Sequence, residues 1–265
     1  MSNYLEPTHH RNWKDDNYLK ISGFFSDEEV NALQEWVKDI EGREPTHDKW
    51  MHHFEATPDG TQLSRSENFV PYHAGLEKLL TDGKVLKVVS ELMGEPAVLY
   101  KEKINYKYPG GGGYAPHQDA PAYEFVTFHI TCLISVDPST PESGCLSFSP
   151  GQYEKDFIAL DEKGCIAEEA ASEMEWVEVP TEPGDILLFG SYIPHKSGAN
   201  RSNQARRIIY VTYNALSEGD WRNQYYEDKR QTFSEYTKSS STQASQISKI
   251  GHFQGRTVLN HEQSD

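Results

Sequence analysis

The stretch Gly184–Asn214, "GDILLFGSYIPHKSGANRSNQARRIIYVTYN", holds two apolar runs separated by a polar loop. Asp185–Phe189 follows the turn residues Thr181-Glu182-Pro183-Gly184, and Ala205–Asn214 is rich in β-branched and aromatic side chains, so both read as strands. Working outward, similar runs lie at Ala97–Tyr108, Phe125–Val136 and Cys145–Ser149. Upstream the pattern changes. Ser26-Asp27-Glu28-Glu29 is a capping box ahead of a helix to about Ile40, with Val30, Leu33, Trp36 and Val37 as its apolar stripe. A second helix covers Val85–Met93 and closes at Gly94. Helices first and many short strands later predict a mainly β fold, a sandwich or barrel with helices packed outside. No repeat divides the chain, so residues 1–265 read as one domain. A Ser-, Thr- and Gln-rich segment at 239–248 reads as mobile, and Ile250-Gly251-His252-Phe253 as ordered again.

Hydrophobic residues make up 36% of 265, enough for a folded globular core. The net charge of −16 repels phosphate backbones and anionic lipid, which argues against nucleic acid or a membrane as the partner. Three cysteines, Cys132, Cys145 and Cys165, with no CxxC pair, exclude a disulfide framework and a zinc knuckle. The N-terminal residues have no apolar core of a signal peptide, and no run approaches a membrane span. The expectation is a soluble protein of a reducing compartment, the cytoplasm.

The loop between the two opening strands carries His195. Far upstream, "GGGGYAPHQDAPAY" (residues 110–123) carries His117 and Asp119. On an extended strand, residues two apart share a face, so His117 and Asp119 project together and Gln118 away. Two imidazoles and one carboxylate on one side of a metal leave other positions open, the arrangement suited to non-heme Fe(II) oxygenases. Arg206 opens the last apolar strand and must either point to water or meet an anion inside. Its planar fork suits the far carboxylate of a dicarboxylate cosubstrate. Arg207 points to the opposite face, and alternation alone does not say which of the two is internal. The glycines exclude a dinucleotide loop, since Pro116 and an extended segment follow where a helix would be needed. They suggest a mobile loop at a pocket mouth, or an ordinary hairpin loop.

Taken together, His117-Gln118-Asp119, His195 with Ser197-Gly198 and Asn200, and Arg206 resemble the phytanoyl-CoA dioxygenase family of Fe(II)/2-oxoglutarate oxygenases. The resemblance runs from Asn17–Phe25 to about Asn214. It implies a double-stranded β-helix, the cupin-like jelly roll. It implies that His117, Asp119 and His195 bind iron and are the catalytic centre, that Arg206 holds 2-oxoglutarate, and that Ser197 assists. O2 is the further cosubstrate implied, with ascorbate as reductant in vitro. The carboxylate of Asp119 implies hydroxylation rather than halogenation.

The substrate is less directly written. In Tyr100–Tyr108, alternation puts Lys101, Lys103, Asn105 and Lys107 on one face. That face is either solvated or an anion-binding wall, and Lys103 and Asn105 are then candidate cosubstrate contacts. The string Lys101–Lys107, the glycines and His117–Tyr123 resemble bacterial-type family members that hydroxylate 2-aminoethylphosphonate and its trimethylammonium analogue. This implies a small anionic or zwitterionic substrate, with Tyr123, Tyr106 and Asp137 available to its cationic end. A fatty acyl-CoA, a secondary metabolite, a non-catalytic cupin-like ligand-binding protein and a metal-dependent hydrolase are the alternatives. The pairs His9-His10 and His52-His53 read as surface or lid residues.

Overall fold

The computed structural model describes residues 4–46, 48–57, 60–123, 125–153, 157–162, 164–239 and 258–259. The chain runs α1 (Pro7–Asp16), β1 (Tyr18–Ile21), α2 (Asp27–Glu41), β2 (Met51–Thr57), β3 (Gly60–Glu67), α3 (Ala74–Thr81) and α4 (Lys84–Met93). It continues through β4 (Ala97–Lys107), β5 (Tyr114–His117), β6 (His129–Ser135), β7 (Leu146–Phe148), α5 (Glu168–Ser172), β8 (Val177–Val179), β9 (Ile186–Gly190), β10 (His195–Ser197) and β11 (Arg206–Ala215). It then passes into α6 (Arg222–Ser239) and β12 (Val258–Leu259).

Two antiparallel sheets face each other. The larger has the order β1-β9-β6-β11-β4-β3-β2-β12, the smaller β5-β10-β7-β8. The period-2 alternation of strand side chains sorts the large sheet's two faces. Ile104, Tyr106, Ile130, Cys132, Ile134, Ile209, Val211 and Tyr213 pack outward against Leu33, Val37, Ile40, Leu76, Leu80, Val85, Val88 and Val89 of the helices. The intervening Leu133, Leu187, Phe189, Ile208 and Tyr210 turn inward onto Leu146, Phe148 and Val179 of the small sheet. This is the expected jelly roll with helices on one sheet.

Local chemistry sets the element ends. Ser26 caps α2, its hydroxyl accepting from Glu29 N while Glu29 bonds back to Ser26 N at 2.8 Å. Gly94, at φ +78°, ends α4. Among the elements absent from the sequence reading are β2, β3 and α6. The ladder of β2 with β3 covers the side of β4 away from β11, so β4 lies inside the sheet. The segment expected to be mobile begins at Ser239, the last residue of α6; from residue 240 it lies outside the described residues, as does the expectation for 250–253.

Candidate active site

His117 ends β5 and pairs with His195 on β10, their ring centroids 4.1 Å apart. The sequence reading put Asp119 on the same strand as His117. Instead the strand stops at His117, and Asp119 (φ −73°, ψ −32°) starts a single 3-10 turn over Ala120–Ala122. Pro121 has no amide to continue a ladder, and Ala120 N donates instead to Ser191 O at 2.9 Å. The turn still brings the carboxylate to the imidazoles. One donor atom of each of His117, Asp119 and His195 lies within 4.8 Å of the others, and all three side chains are buried. His117 Nε2 to Asp119 Oδ1 is 3.9 Å. Three donors at this spacing could hold a single ion between them. Gln118 points away, its amide donating to Tyr192 O at 2.7 Å and accepting from Ile158 N at 2.9 Å.

The backbone fixes both tautomers. His117 Nδ1 lies 2.7 Å from Ala115 O, and His195 Nδ1 lies 3.1 Å from Ile193 O. A carbonyl only accepts, so each Nδ1 carries the proton and each Nε2 presents a lone pair to the cluster. Burial, then the neighbouring His195, holds His117 down at about pKa 3, and burial lowers His195 as well. Neutral imidazoles are the form a metal takes. Burial pushes the Asp119 carboxyl up, but His195, Lys101, Lys103 and His117 together outweigh it and hold it below the ordinary carboxylate range.

Arg206 is the internal member of its pair. It is 0% exposed, and Nη1 donates to Ser139 Oγ at 3.3 Å. Its Nε and Nη2 are buried and meet hydrogen-bond geometry with none of the described residues, although the Tyr210 phenol stands close enough to interact with the guanidinium directly. Arg207, on the outer face, forks onto Asp137 at 2.8 and 2.9 Å. A buried guanidinium with two unanswered donors is costly without an anion. The donor set and this orphaned fork therefore fit a divalent iron and a dicarboxylate.

Ser197 on β10 accepts from Lys107 Nζ at 2.9 Å, which leaves its own hydroxyl proton to give to a ligand. Lys107 also donates to Gly198 O and Gly144 O, at 2.6 and 3.3 Å. Asn200 ties down the glycine loop: its amide donates to Lys107 O at 2.7 Å, its backbone N to Gly111 O at 3.0 Å, and Gly110 N to Asn200 O at 2.9 Å. A Cβ at Gly113 would sit 2.5 Å from Ser197 O. These glycines permit close approach beneath β10, and the loop is pinned at both ends where a mobile mouth was one expectation.

The lysine face of β4 turns inward. Lys101 and Lys107 are buried, Lys103 is half-buried with its ammonium 5.1 Å over the Tyr210 ring, and Asn105 accepts from Arg65 Nε at 3.2 Å. Burial, then Arg65, draws Lys103 down to about pKa 8. Of the three groups suggested for a cationic substrate end, Tyr123 lines this chamber. Tyr106 faces the helices and hydrogen-bonds Ser66, and Asp137 is engaged outside by Arg207.

Sequence reasoning missed several chamber residues. Arg65 and Glu67 of β3 form an internal ion pair at 3.2 Å, joined by Lys229 of α6. His53, expected at the surface or in a lid, is 1% exposed beside Glu67. His129 is buried against Tyr100 and Tyr123. α6 is held by Arg222, which forks onto buried Glu102 at 3.0 and 2.6 Å, and by Tyr226 on the Glu102 carbonyl at 2.8 Å. Arg222, Tyr225, Tyr226 and Lys229 stand at i, i+3, i+4 and i+7, the one sequence signal that marks this helix face.

A jelly roll that gathers two imidazoles and a carboxylate opposite a buried arginine defines a non-heme iron, 2-oxoglutarate-dependent dioxygenase. The chain belongs to the phytanoyl-CoA dioxygenase (PhyH) family, whose model matches residues 13–208. It is 52% identical to the methylphosphonate hydroxylase of Gimesia maris, over 92% of this chain and 94% of that one. It is 42% identical to a 2-aminoethylphosphonate dioxygenase from an uncultured bacterium, over 83% and 86% of the two chains. Among solved structures, EctD from S. alaskensis with 2-oxoglutarate and 5-hydroxyectoine superposes with a TM-score of 0.68 at 19% identity, over 82% of this chain and 79% of that one. The latter likeness is one of fold. Among the described residues no helix is long and apolar enough to cross a membrane.

Proposed function

We propose that this enzyme hydroxylates a small phosphonate, of the methylphosphonate or 2-aminoethylphosphonate type, with 2-oxoglutarate and O2 as cosubstrates. The observation that carries the cosubstrate is the fully buried guanidinium of Arg206, two of its nitrogens outside hydrogen-bond geometry with any described residue, beside Tyr210, which feels both Arg206 and Asp119 of the His117–Asp119–His195 cluster. The substrate class rests on the two phosphonate-acting relatives and on the basic lining of the chamber, Arg65, Lys101, Lys103 and Lys229, inside a chain of net charge −16.

His117 and His195 would hold Fe(II) through Nε2 and Asp119 through a carboxylate oxygen. Arg206 grips the distal carboxylate of 2-oxoglutarate in a two-pronged, charge-assisted contact that orients the keto-acid end toward the metal ligands. Ser197, its lone pair engaged by Lys107, donates to the same carboxylate. Lys103 and Asn105 line the cosubstrate's path; the Asn105 oxygen is taken by Arg65, so the amide N–H2 is the group it offers. When bound, the iron supplies the redox chemistry by which O2 and 2-oxoglutarate become succinate, CO2 and one hydroxyl on the substrate carbon. Phe148 and Phe189, whose rings lie 5.9 and 4.9 Å from His195, keep water from the back of the cluster. With Cys132, Cys145 and Cys165 buried and in no disulfide, the protein suits a reducing compartment such as the cytoplasm. Succinate formation with Fe(II), ascorbate and a panel of phosphonates, sulfonates and acyl-CoA esters tests the reading. Phosphonate-stimulated turnover supports it, and stimulation by acyl-CoA alone overturns it.

A further inference from the structure

Lys101 lies at the far end of β4 from Arg206. The register pairs Arg206 with Lys107 and Thr212 with Lys101, so six residues of strand, about 20 Å, separate the two cations along the sheet. One 2-oxoglutarate gripped by Arg206 therefore leaves Lys101 unused. Lys101 is 5% exposed, and no hydrogen bond ties its Nζ to any described residue. Its ammonium sits 4.3 Å over the Tyr123 ring and 5.7 Å from that of Tyr225. Beside it, both ring nitrogens of His129 are buried without a partner, the ring 4.1 Å from Tyr123 and 4.8 Å from Tyr100. The charge of Asp119 reaches both groups, which puts them within electrostatic range of that carboxylate. A buried lysine and a buried imidazole that meet on the same Tyr123 ring, with no hydrogen-bond partner for either among the described residues, have the donors to seat an oxyanion.

Among the described residues, the same surroundings offer nothing to a substrate ammonium. Two carboxylates influence Lys101: Asp119, assigned to the metal, and Glu67, whose charge Arg65 and Lys229 already cancel. The aromatic cage of Tyr123 and Tyr225 is filled by Lys101 itself, and Lys103 adds a second positive charge. We infer that Lys101, with His129, is the anchor for the substrate phosphonate, and that this seat favours methylphosphonate over the ammonium-bearing 2-aminoethylphosphonate. The inference rests on the phosphonate reading above and assigns its residues.

Anaerobic calorimetry of the Fe(II)- and 2-oxoglutarate-loaded protein with each phosphonate reads binding without turnover. Lys101→Met is expected to weaken methylphosphonate about tenfold to a hundredfold, the loss of one charge-assisted hydrogen bond, and Lys101→Arg to restore most of it. His129→Gln probes the seat independently and is expected to weaken it several-fold. Titration of 2-oxoglutarate itself, unchanged within about threefold in all variants, certifies a folded site at the Arg206 end. The wild type should bind methylphosphonate at least fivefold more tightly than 2-aminoethylphosphonate. Wild-type phosphonate affinity in both Lys101→Met and His129→Gln overturns the anchor, and tighter binding of 2-aminoethylphosphonate overturns the preference. If neither phosphonate binds the wild type, the substrate class itself is wrong, a result distinct from binding that ignores Lys101.

Discussion

Replacing Arg206 by methionine separates binding from folding. The side chain is fully buried, and among the described residues only one of its three nitrogens has a hydrogen-bond partner, Ser139 at 3.3 Å. In the 2-oxoglutarate complex Nε and Nη2 would each make a charge-assisted hydrogen bond worth about 1.5–3 kcal/mol. Losing both predicts a rise of roughly 10² to 10⁴ in the dissociation constant for 2-oxoglutarate. The ligand-free protein should move the other way. Methionine fills similar volume without burying an unanswered charge, so Arg206→Met keeps or raises the melting temperature. With iron bound under anaerobic conditions, 2-oxoglutarate at a hundred times its wild-type dissociation constant stabilises by about 2.7 kcal/mol, roughly 5–10 °C for a chain of this size. The variant should show no such shift at that concentration. A wild-type shift in Arg206→Met refutes the reasoning. So does a ligand-free variant that is several degrees less stable, since the guanidinium would then be structural.

Three further outcomes follow. His117→Ala and Asp119→Ala should each abolish Fe(II) binding, read by equilibrium dialysis, and with it succinate formation; retained iron at wild-type affinity would remove that residue from the ligand set. Gly144→Ala should cost at least about 2 kcal/mol in urea denaturation, because Gly144 sits at φ +76° and its Cβ would meet Gly198 O at 2.2 Å; an unchanged midpoint refutes the close approach. Burial holds His53 and His129 at about pKa 3, against an ordinary 6.5. The unfolded chain then takes up protons that the native chain refuses, so stability is complete above pH 6.5 and declines as pH falls toward 3. Each histidine contributes a loss of about 1.4 kcal/mol per pH unit in that window. A urea midpoint that is flat between pH 7.5 and 5 would show that these rings are charged or exposed.

The parts of the site legible in the sequence were those whose chemistry demands a residue type at a fixed spacing. His117, Asp119, His195 and Arg206 could be read because metal ligation and carboxylate recognition tolerate few substitutes. The direction of β4's lysine face could not be read. Alternating Lys-Glu-Lys-Ile-Asn-Tyr-Lys is the signature of a solvated edge, and only the unforeseen strands β2 and β3 make it internal. Glu102 shows why pattern misleads here: it faces the outer side with Ile104 yet is 1% exposed, because α6 brings Arg222 to it. Asp119 failed in the opposite sense. The strand rule named a pair that the fold does bring together, but the strand ends at His117 and Asp119 opens the turn that contains Pro121. His129 had no local signature, since its meaning comes wholly from neighbours distant in sequence.

The carbonyls of Ala115 and Ile193 have a consequence for how the enzyme is supplied with its ion. Because the main chain already dictates which nitrogen of each imidazole is bare, and the β5–β10 ladder already aligns them, loading requires neither refolding nor proton release from the rings. The barrel is a socket built in advance. A chelator should strip it and leave it standing, so that maturation in the cell is a matter of which cation arrives rather than of whether the polypeptide can fold.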